Sequence, residues 1–438
     1  MSGSSADIDC TTIGADMVRD TSVRLFGNPV ETVGARAAGR MVLRARTVVA
    51  GAALKPLHDA VVVVDDGLVS AVEPAGPEHA VDVDLGDATL VPGLIDAHVH
   101  LASDSGPRFG GVPDESRLLL LAISNAQRFL RAGVTTVRDL GSPFAVGSDL
   151  RDAIEGGLLV GPRVLAANRV ITITGGHGHH MGFECDDIGG LRRAVRQLAK
   201  DGSDWVKVMA SGGFVHARRS EGDAPFFPLF DLAEMRTIVE EAHRFGMRVA
   251  AHCQNRDAIA VAFEGGVDTI EHCTFAAKPQ AVLDEALVRA IAERGTFVVP
   301  TTNNYWLTVG VPWAPKDVAL ANLRRLYDLG VRLVAGTDAG IPTTTPDLYA
   351  EGLRVLAEIG MPLTEVLAAA TTQAAEAVGI SDVTGSITPG LSADLVALDG
   401  DPLTDVDAYN RPRAVVVRGV LVPLGPGWQR APGRGAGQ

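Results

Sequence analysis

The sequence predicts an α/β fold: a (β/α)8 TIM barrel with a small β-sandwich formed from the two ends of the chain. The chain has 438 residues, the length that such a barrel and a small extra domain require. Between residues 88 and 380, β-branched runs alternate with helical segments. The regions on either side contain short strands and turns instead.

The barrel prediction rests on the order of the segments. Those between the strands carry the 3.6-residue periodicity of helices. One of them, 232–245, stops before Gly246, and glycine commonly ends a helix. In a parallel barrel the carboxyl ends of all strands meet at one face, so side chains there are candidates for a functional site. The strand candidates are 90–98, 135–138, 164–173, 205–210, 248–252, 269–272, 297–300 and 332–337.

The remaining regions complete the predicted domain organisation. We expect the two strand-rich segments that flank the barrel to pair into one β-sandwich. The last residues are rich in Gly, Pro and Arg, and we expect them to form a flexible tail. The predicted regions are an N-terminal extension (1–40), the sandwich (41–87 and 381–425), the barrel (88–380) and the tail (426–438).

Composition narrows the class of protein. The net charge of -14 disfavours binding to nucleic acid or to an anionic membrane. No apolar run reaches the roughly 18 residues of a membrane span, and the N-terminus lacks the pattern of a secretion signal. The four cysteines show no C-x-x-C spacing, which argues against a disulfide framework. We therefore expect a cytoplasmic enzyme.

A pair of histidines, His98 and His100, ends the first strand-like run, Val91-Pro-Gly-Leu-Ile-Asp-Ala-His-Val-His. A spacing of two puts both imidazoles on the same side of a strand, where they can bind one metal ion. Two strand histidines that face a polar surface are the alternative. The pair alone does not decide between the two interpretations.

Further side chains that can bind a metal follow later strands in order. Lys207 lies in strand four, His252 and His272 end strands five and six, and Asp338 follows strand eight. The run around Lys207 is apolar, and a buried ammonium is costly unless its charge is matched or removed. A single such histidine is often a core residue, but the whole set at successive strand ends predicts a metal site.

This pattern resembles the amidohydrolase superfamily, in the subgroup with a binuclear metal site and a carboxylated lysine on strand four. The resemblance covers roughly residues 41–420. Within the superfamily, the segment 171–180 and the Ser-Gly-Gly after strand four are most similar to prolidase-like dipeptidases and to N-acyl-amino-acid (ochratoxin-type) amidohydrolases. Relatives in this subgroup often form symmetric assemblies, so the resemblance also implies a homo-oligomer.

The resemblance implies a role for each residue of the set. Two divalent ions share a hydroxide that attacks the amide carbonyl. Zinc is expected, with cobalt or manganese as alternatives, because neutral imidazoles and carboxylates suit these ions. Asp338 is also the acid and base that gives a proton to the leaving nitrogen. The implied ligands are His98, His100 and Asp338 for one ion, His252 and His272 for the other, and Lys207, as N6-carboxylysine, for both.

The loop after strand three supplies a candidate for substrate binding and catalysis. The glycines around His177 let the backbone approach a ligand closely, and His177 can donate to a substrate carbonyl or carboxylate. His179 and His180 are more simply loop histidines. Their roles and that of His216 stay open.

Two further elements are predicted to bind substrate. Arg218 and Arg219 lie after strand four in a chain with few positive charges, and guanidinium pairs suit a free carboxylate. The alternative is a solvated loop in which they pair with Glu221 and Asp223. Tyr305, after strand seven, offers aromatic surface for a hydrophobic group, or else packs against a neighbouring loop or subunit.

These residues predict a metal-dependent hydrolase that cleaves the amide bond of N-acyl amino acids or dipeptides with a free carboxylate. A hydrolase of a cyclic amide, a carbamate or a thiocarbamate is the alternative, because loops set the specificity of a shared site. A deaminase of the same superfamily is disfavoured by Lys207, which mononuclear deaminases generally lack. A non-catalytic barrel scaffold is disfavoured because every ligand position is filled.

Overall fold

The computed structural model describes residues 39–106, 114–213, 215 and 224–424, together with the paired strands Arg24–Leu25 and Asn28–Pro29. It confirms the predicted α/β barrel fold. We number the barrel strands one to eight along the chain, with the third in two pieces. They are Leu94–Val99, Val134–Asp139, Arg163–Ala166 with Val170–Thr172, Trp205–Met209, Arg248–Cys253, Thr269–His272, Phe297–Val299 and Arg332–Leu333.

Neighbouring barrel strands pair in parallel, and backbone hydrogen bonds close the ring. The first piece of strand three pairs with strand two, and the second piece pairs with strand four. Between the last strand and the first, the Ala97 amide donates to the Ala335 carbonyl at 3.0 Å and the Asp338 amide donates to the His98 carbonyl at 2.8 Å. Closure of the barrel therefore places Asp338 beside His98.

Helices cover the outside of the barrel, and several of them begin at a side chain that caps the first turn. The helix Leu232–Arg244 starts with a reciprocal capping box between Asp231 and Glu234, and Gly246 follows it in a left-handed conformation, φ +74°. In the described part of the chain, none of the helices is long and apolar enough to cross a bilayer. The helices are Glu115–Arg131, Val146–Glu155, Ile188–Lys200, Leu232–Arg244, Arg256–Gly265, Glu285–Arg294, Asn304–Thr308, Lys316–Asp328, Tyr349–Glu358, Leu363–Ala369 and Thr372–Val378.

Segments from both ends of the chain meet in one eight-stranded sheet with its own apolar core. The C-terminal strands join the N-terminal ones where Leu395–Leu398 pairs antiparallel with Thr89–Pro92. Short pairs outside this sheet are Gly310–Val311 with Ala314–Pro315, and Gly182–Glu184 beside strand three. The strands of the terminal sheet are Arg40–Ala50, Lys55–Asp65, Leu68–Pro74, Val83–Asp84, Thr89–Pro92, Leu395–Leu398, Pro412–Val417 and Val420–Pro423.

The predicted single strand at 90–98 is wrong, because the structure divides it at Gly93. The residues before Gly93 belong to the terminal sheet, and those after it form barrel strand one. A Cβ at Gly93 would overlap the side chain of Thr135 in strand two, so glycine allows the chain to pass tightly from one sheet to the other. The terminal sheet thereby anchors the strand that carries His98.

Candidate metal centre

Three predicted ligands form a compact group at the carboxyl ends of the first and last barrel strands. One ligand atom each of His98, His100 and Asp338 lies within 4.8 Å of the others. The Nε2 atoms of His98 and His100 lie 3.5 and 3.2 Å from Asp338 Oδ1. All three side chains are largely buried. Two imidazoles and a carboxylate at these separations can hold a divalent ion.

Lys207 lies inside the barrel next to this group. It is 1% exposed, and its Nζ atom is 3.2 Å from His98 Nε2. Burial lowers the pKa of the Lys207 ammonium to about 8. A fraction of the amine is therefore neutral near pH 7, and the neutral amine is the form that reacts with carbon dioxide.

His252 and His272 complete the cluster from strands five and six. Their ring centroids are 4.4 Å apart, and the His272 ring is 5.1 Å from that of His98. The Nδ1 atom of His272 is held by the Thr301 hydroxyl at 2.8 Å. Its Nε2 atom is buried and has no hydrogen-bond partner among the described residues. A buried nitrogen without a partner is costly, so this atom fits the place of a metal ligand.

The imidazoles are kept in the form that binds metal ions. Burial lowers the pKa of His98 and of His252 well below the usual range, and lowers the pKa of His272 to about 4. Neutral rings keep a lone pair for a cation. Burial by itself would raise the pKa of Asp338, but His98 and His100 hold it below its usual value, so Asp338 is a carboxylate.

Backbone strain is concentrated around the cluster. His272 and Asp338 have φ angles of +68° and +61°, a left-handed region that residues with a Cβ seldom adopt. Cys273 and Thr301 share this conformation, at +54° and +55°. Such residues persist only where surrounding structure holds them, and they are common at functional sites. Both strand ends therefore turn sharply where their side chains enter the cluster.

A buried carboxylate that the sequence analysis did not assign, Glu271, orients His98. Its Oε2 accepts from His98 Nδ1 at 2.7 Å, and its Oε1 accepts from Arg138 at 2.9 Å and from the Thr269 hydroxyl at 2.5 Å. Arg138 is also buried and stacks on Trp205, 4.3 Å from the ring centroid. A proton on Nδ1 leaves the Nε2 lone pair of His98 directed at Lys207 and Asp338. The signal was available, because Glu271 lies inside a predicted barrel strand, directly before the predicted ligand His272.

His100 is oriented in a similar way by the backbone. Its Nδ1 atom donates to the Gly141 carbonyl at 3.0 Å, which leaves Nε2 for Asp338 or a cation. Asp96, two residues before His98, accepts from the Thr337 hydroxyl at 2.6 Å and links the first strand to the segment that carries Asp338. These contacts fix the relative positions of the three groups.

The loop after strand three brings His177 to the cluster. Its ring centroid is 4.6 Å from that of His252, and its Nδ1 atom accepts from the Val215 amide at 3.3 Å. The proton of the neutral ring is therefore on Nε2. A Cβ at Gly213 would overlap the His177 ring, so the glycine after strand four makes room for this histidine. The Nε2–H group of His177 therefore remains available as a donor beside His252 and His272.

The other predicted substrate residues are placed differently. Tyr305 is half-buried, and its hydroxyl donates to the Pro342 carbonyl at 2.8 Å, so it braces the loop that follows Asp338. His179 and His180 begin a short 3-10 helix, His179–Met181, with ring centroids 5.9 Å apart. Three predicted residues, His216, Arg218 and Arg219, lie outside the described residues.

A parallel barrel that gathers buried histidines, a lysine and an aspartate at one end has the architecture of a metal-dependent hydrolase. The model of the amidohydrolase family matches residues 89–422. Ochratoxinase of Aspergillus niger is 28% identical in an alignment of 428 positions, and the alignment covers 85% of this chain and 84% of the relative.

Comparison with solved structures leads to the same family. A Xaa-Pro dipeptidase with bound methionine in the active site has a TM-score of 0.76 at 27% identity, over 88% of this chain and 100% of that one. The Aspergillus niger ochratoxinase structure has a TM-score of 0.75 at 25% identity, over 89% and 98%. The chain belongs to the amidohydrolase family. It is a hydrolase that acts on amides, and members of its family generally use divalent metal ions.

Replacement of Lys207 by alanine should remove bound metal and activity together, because the cluster loses the group that lies nearest His98 Nε2. Short carboxylates such as formate should partly restore both. Metal per chain and amide hydrolysis are measured side by side, with Lys200→Ala at the exposed end of the helix Ile188–Lys200 as control. A Lys207→Ala enzyme with full metal content and full activity would exclude a ligand role for Lys207.

Glu271→Gln should weaken metal binding about 10- to 100-fold, because the amide no longer holds His98 in one tautomer as a carboxylate does. It should also destabilise the fold, because Arg138 loses its counterion. Adding Arg138→Met removes both charges and should recover stability without recovering metal affinity. The metal dissociation constant is measured against a competing chelator, and Tm is measured in parallel. Recovery of both properties in the double variant would show that Glu271 acts only on folding.

Proposed function

We propose that this amidohydrolase cleaves the amide bond of N-acyl amino acids or dipeptides that carry a free carboxylate. The observation that carries the proposal is the position of His177, whose Nε2–H lies beside the histidines of the metal centre and can donate to the carbonyl oxygen of an amide. The name of one relative, a Xaa-Pro dipeptidase, supports an amide next to a residue that carries a free carboxylate.

The proposed cofactor is a pair of divalent ions, with zinc first and cobalt or manganese as alternatives. His98, His100 and Asp338 would hold one ion, and His252 and His272 would hold the other. Lys207 would join both as N6-carboxylysine. In that modification the neutral amine forms an N–C bond to carbon dioxide and loses one proton, which replaces a buried amine with an anionic oxygen ligand. The short distance from Lys207 to His98 and the partnerless Nε2 of His272 support this assignment.

When bound, the metal ions supply a hydroxide nucleophile and polarise the scissile carbonyl. Side chains of the protein stabilise the developing charge and transfer the proton. His177 donates from Nε2 to the carbonyl oxygen, where negative charge develops during attack. Asp338, a carboxylate in the resting site, accepts the proton of the nucleophile on Oδ and passes it to the leaving nitrogen, so the C–N bond breaks with a neutral amine as product. Glu271 keeps His98 fixed throughout.

Three further residues are proposed to bind or position the substrate. Arg218 and Arg219 are proposed to bind the carboxylate because they follow strand four in the sequence, and the segments after barrel strands lead to the catalytic face. Tyr305 is proposed to act by shaping the loop after strand eight, in line with its bond to Pro342. The homo-oligomeric state and the cytoplasmic location stay predictions from the sequence.

The substrate class is tested with a library. Zinc-loaded enzyme in bicarbonate is incubated with a mixture of N-acyl amino acids, dipeptides, cyclic amides and carbamates. The released products are identified by mass spectrometry. We expect preferential release from hydrophobic members with a free carboxylate. Release only from cyclic amides or carbamates, by protein with two metal ions per chain, would contradict the proposed substrate and favour the alternative.

Arg218→Ala and Arg219→Ala should each raise KM for carboxylate substrates about tenfold or more, because a charge-assisted hydrogen bond is lost. The matched N-methylamides should be unaffected. Steady-state kinetics on each substrate pair gives the comparison, with Arg236→Ala on the exposed face of the helix Leu232–Arg244 as control. An equal change in KM for charged and neutral substrates would show that neither arginine binds the carboxylate.

A further inference from the structure

Strand seven contributes no predicted metal ligand, yet a buried asparagine that follows it contacts two segments of the metal centre. Asn303 is 4% exposed and lies after the strand Phe297–Val299. Its Nδ2 group donates to the Thr337 carbonyl at 3.0 Å and to the Thr301 carbonyl at 3.3 Å. Its Oδ1 atom accepts from the Tyr305 amide at 3.0 Å and caps the short helix that follows. The amide group therefore uses both of its N–H groups on carbonyls at the strand ends.

The bond to Thr337 fixes the peptide group that leads into Asp338. The carbonyl of this peptide group belongs to Thr337 and accepts from Asn303, and its N–H belongs to Asp338 and donates to the His98 carbonyl at 2.8 Å. Because a peptide group is planar, a hydrogen bond at each end sets its orientation. The φ angle of Asp338, +61°, is unfavourable and persists only where neighbouring groups hold it. Asn303 therefore helps to hold Asp338 with its carboxylate directed at His98 and His100.

The bond to Thr301 acts on the other half of the metal centre. Thr301 Oγ1 donates to the Pro300 carbonyl at 2.7 Å, so it accepts from His272 Nδ1 at 2.8 Å. Thr301 also has a left-handed backbone, φ +55°, and its carbonyl accepts from Asn303 and from Trp306 Nε1 at 3.2 Å. Asn303 thus holds the residue whose hydroxyl sets the tautomer of His272 and leaves its Nε2 atom for a metal ion.

The pairing of the strands does not make this connection. The described backbone hydrogen bonds between strands seven and eight end with the Val334 amide, which donates to the Val298 carbonyl at 2.9 Å. Between the described residues 300–303 and 335–338, the hydrogen bond that links the two segments is the one from the Asn303 side chain. A side-chain amide can bridge two carbonyls because it carries two N–H groups, which neither serine nor aspartate does.

We propose that Asn303 is a positioning residue that holds both halves of the metal centre in place. It acts on Asp338 through the Thr337 carbonyl and on His272 through Thr301. This inference rests on the proposed metal centre. Loss of the Nδ2 donor should weaken metal binding and lower kcat. KM should stay nearly unchanged, because Asn303 is not among the residues proposed to bind substrate.

Two variants remove the donor in different ways. Asn303→Ser is uncharged, Asn303→Asp keeps the size of the side chain, and both retain an oxygen that can cap the helix. In each variant the zinc dissociation constant, measured against a competing chelator, should rise about 10- to 100-fold. At saturating zinc, kcat on N-acetylphenylalanine should fall by a similar factor, and KM should change less than about threefold.

The control for lost stability is Asp187→Ala, which removes the cap of the helix Ile188–Lys200. It should lower Tm and leave both zinc binding and kcat unchanged. Zinc binding and kcat equal to wild type in both Asn303 variants would overturn the proposed role. A loss in only one of the two variants would assign the effect to volume or charge rather than to the donor, and would also overturn it. If Asn303→Ser does not fold, Asn303→Asp alone decides.

Failure of the proposed function is visible separately, in the wild-type protein. A wild-type protein that binds no zinc would refute the metal centre itself. A wild-type protein that binds zinc but hydrolyses none of the N-acyl amino acids would refute only the proposed substrate, since the zinc dissociation constants still test Asn303.

Discussion

The closure of the barrel between its last and first strands is the constraint on which the site depends. Backbone hydrogen bonds from Ala97 to Ala335 and from Asp338 to His98 join two segments that are 240 positions apart in the chain, 98 to 338. They put a carboxylate against two imidazoles before any cation is bound. Such a group attracts a cation, because Asp338 is ionised and burial keeps the His98 ring neutral. The energy that holds it together comes from the barrel and its core rather than from the site.

Hydrogen bonds on the side of each imidazole that faces away from the cluster fix the direction of its lone pair. Glu271, Gly141 and Thr301 each occupy the Nδ1 atom of one histidine, so that the Nε2 atoms of His98, His100 and His272 remain for the cluster. Glu271 is itself neutralised by Arg138, which is why a carboxylate can be fully buried there. Strained backbone at His272 and Asp338 turns these side chains inward. The site is therefore built in two layers, and the outer layer determines the tautomers of the inner one.

Much of this architecture could be predicted from the sequence, for a physical reason. Alternation of strand and helix patterns is local information, and side chains at successive strand ends must converge once a barrel forms. The division at Gly93 could not be predicted, because it depends on close packing against Thr135 from a distant strand. Glu271 was overlooked, although a charged side chain inside a predicted barrel strand is the same signal that marked Lys207. Tyr305 could not be placed because its bond to Pro342 depends on how two loops fold together.

We propose that this cluster holds two divalent ions joined by a carboxylated Lys207. A crystal structure of the zinc-loaded protein, with anomalous data at the zinc edge, tests it most directly. We expect two zinc peaks, one about 2.0–2.2 Å from His98, His100 and Asp338 and one at similar distances from His252 and His272. Three additional atoms on Lys207 Nζ should lie between the two peaks. A single zinc ion, or an unmodified Lys207 beside two ions, would contradict it.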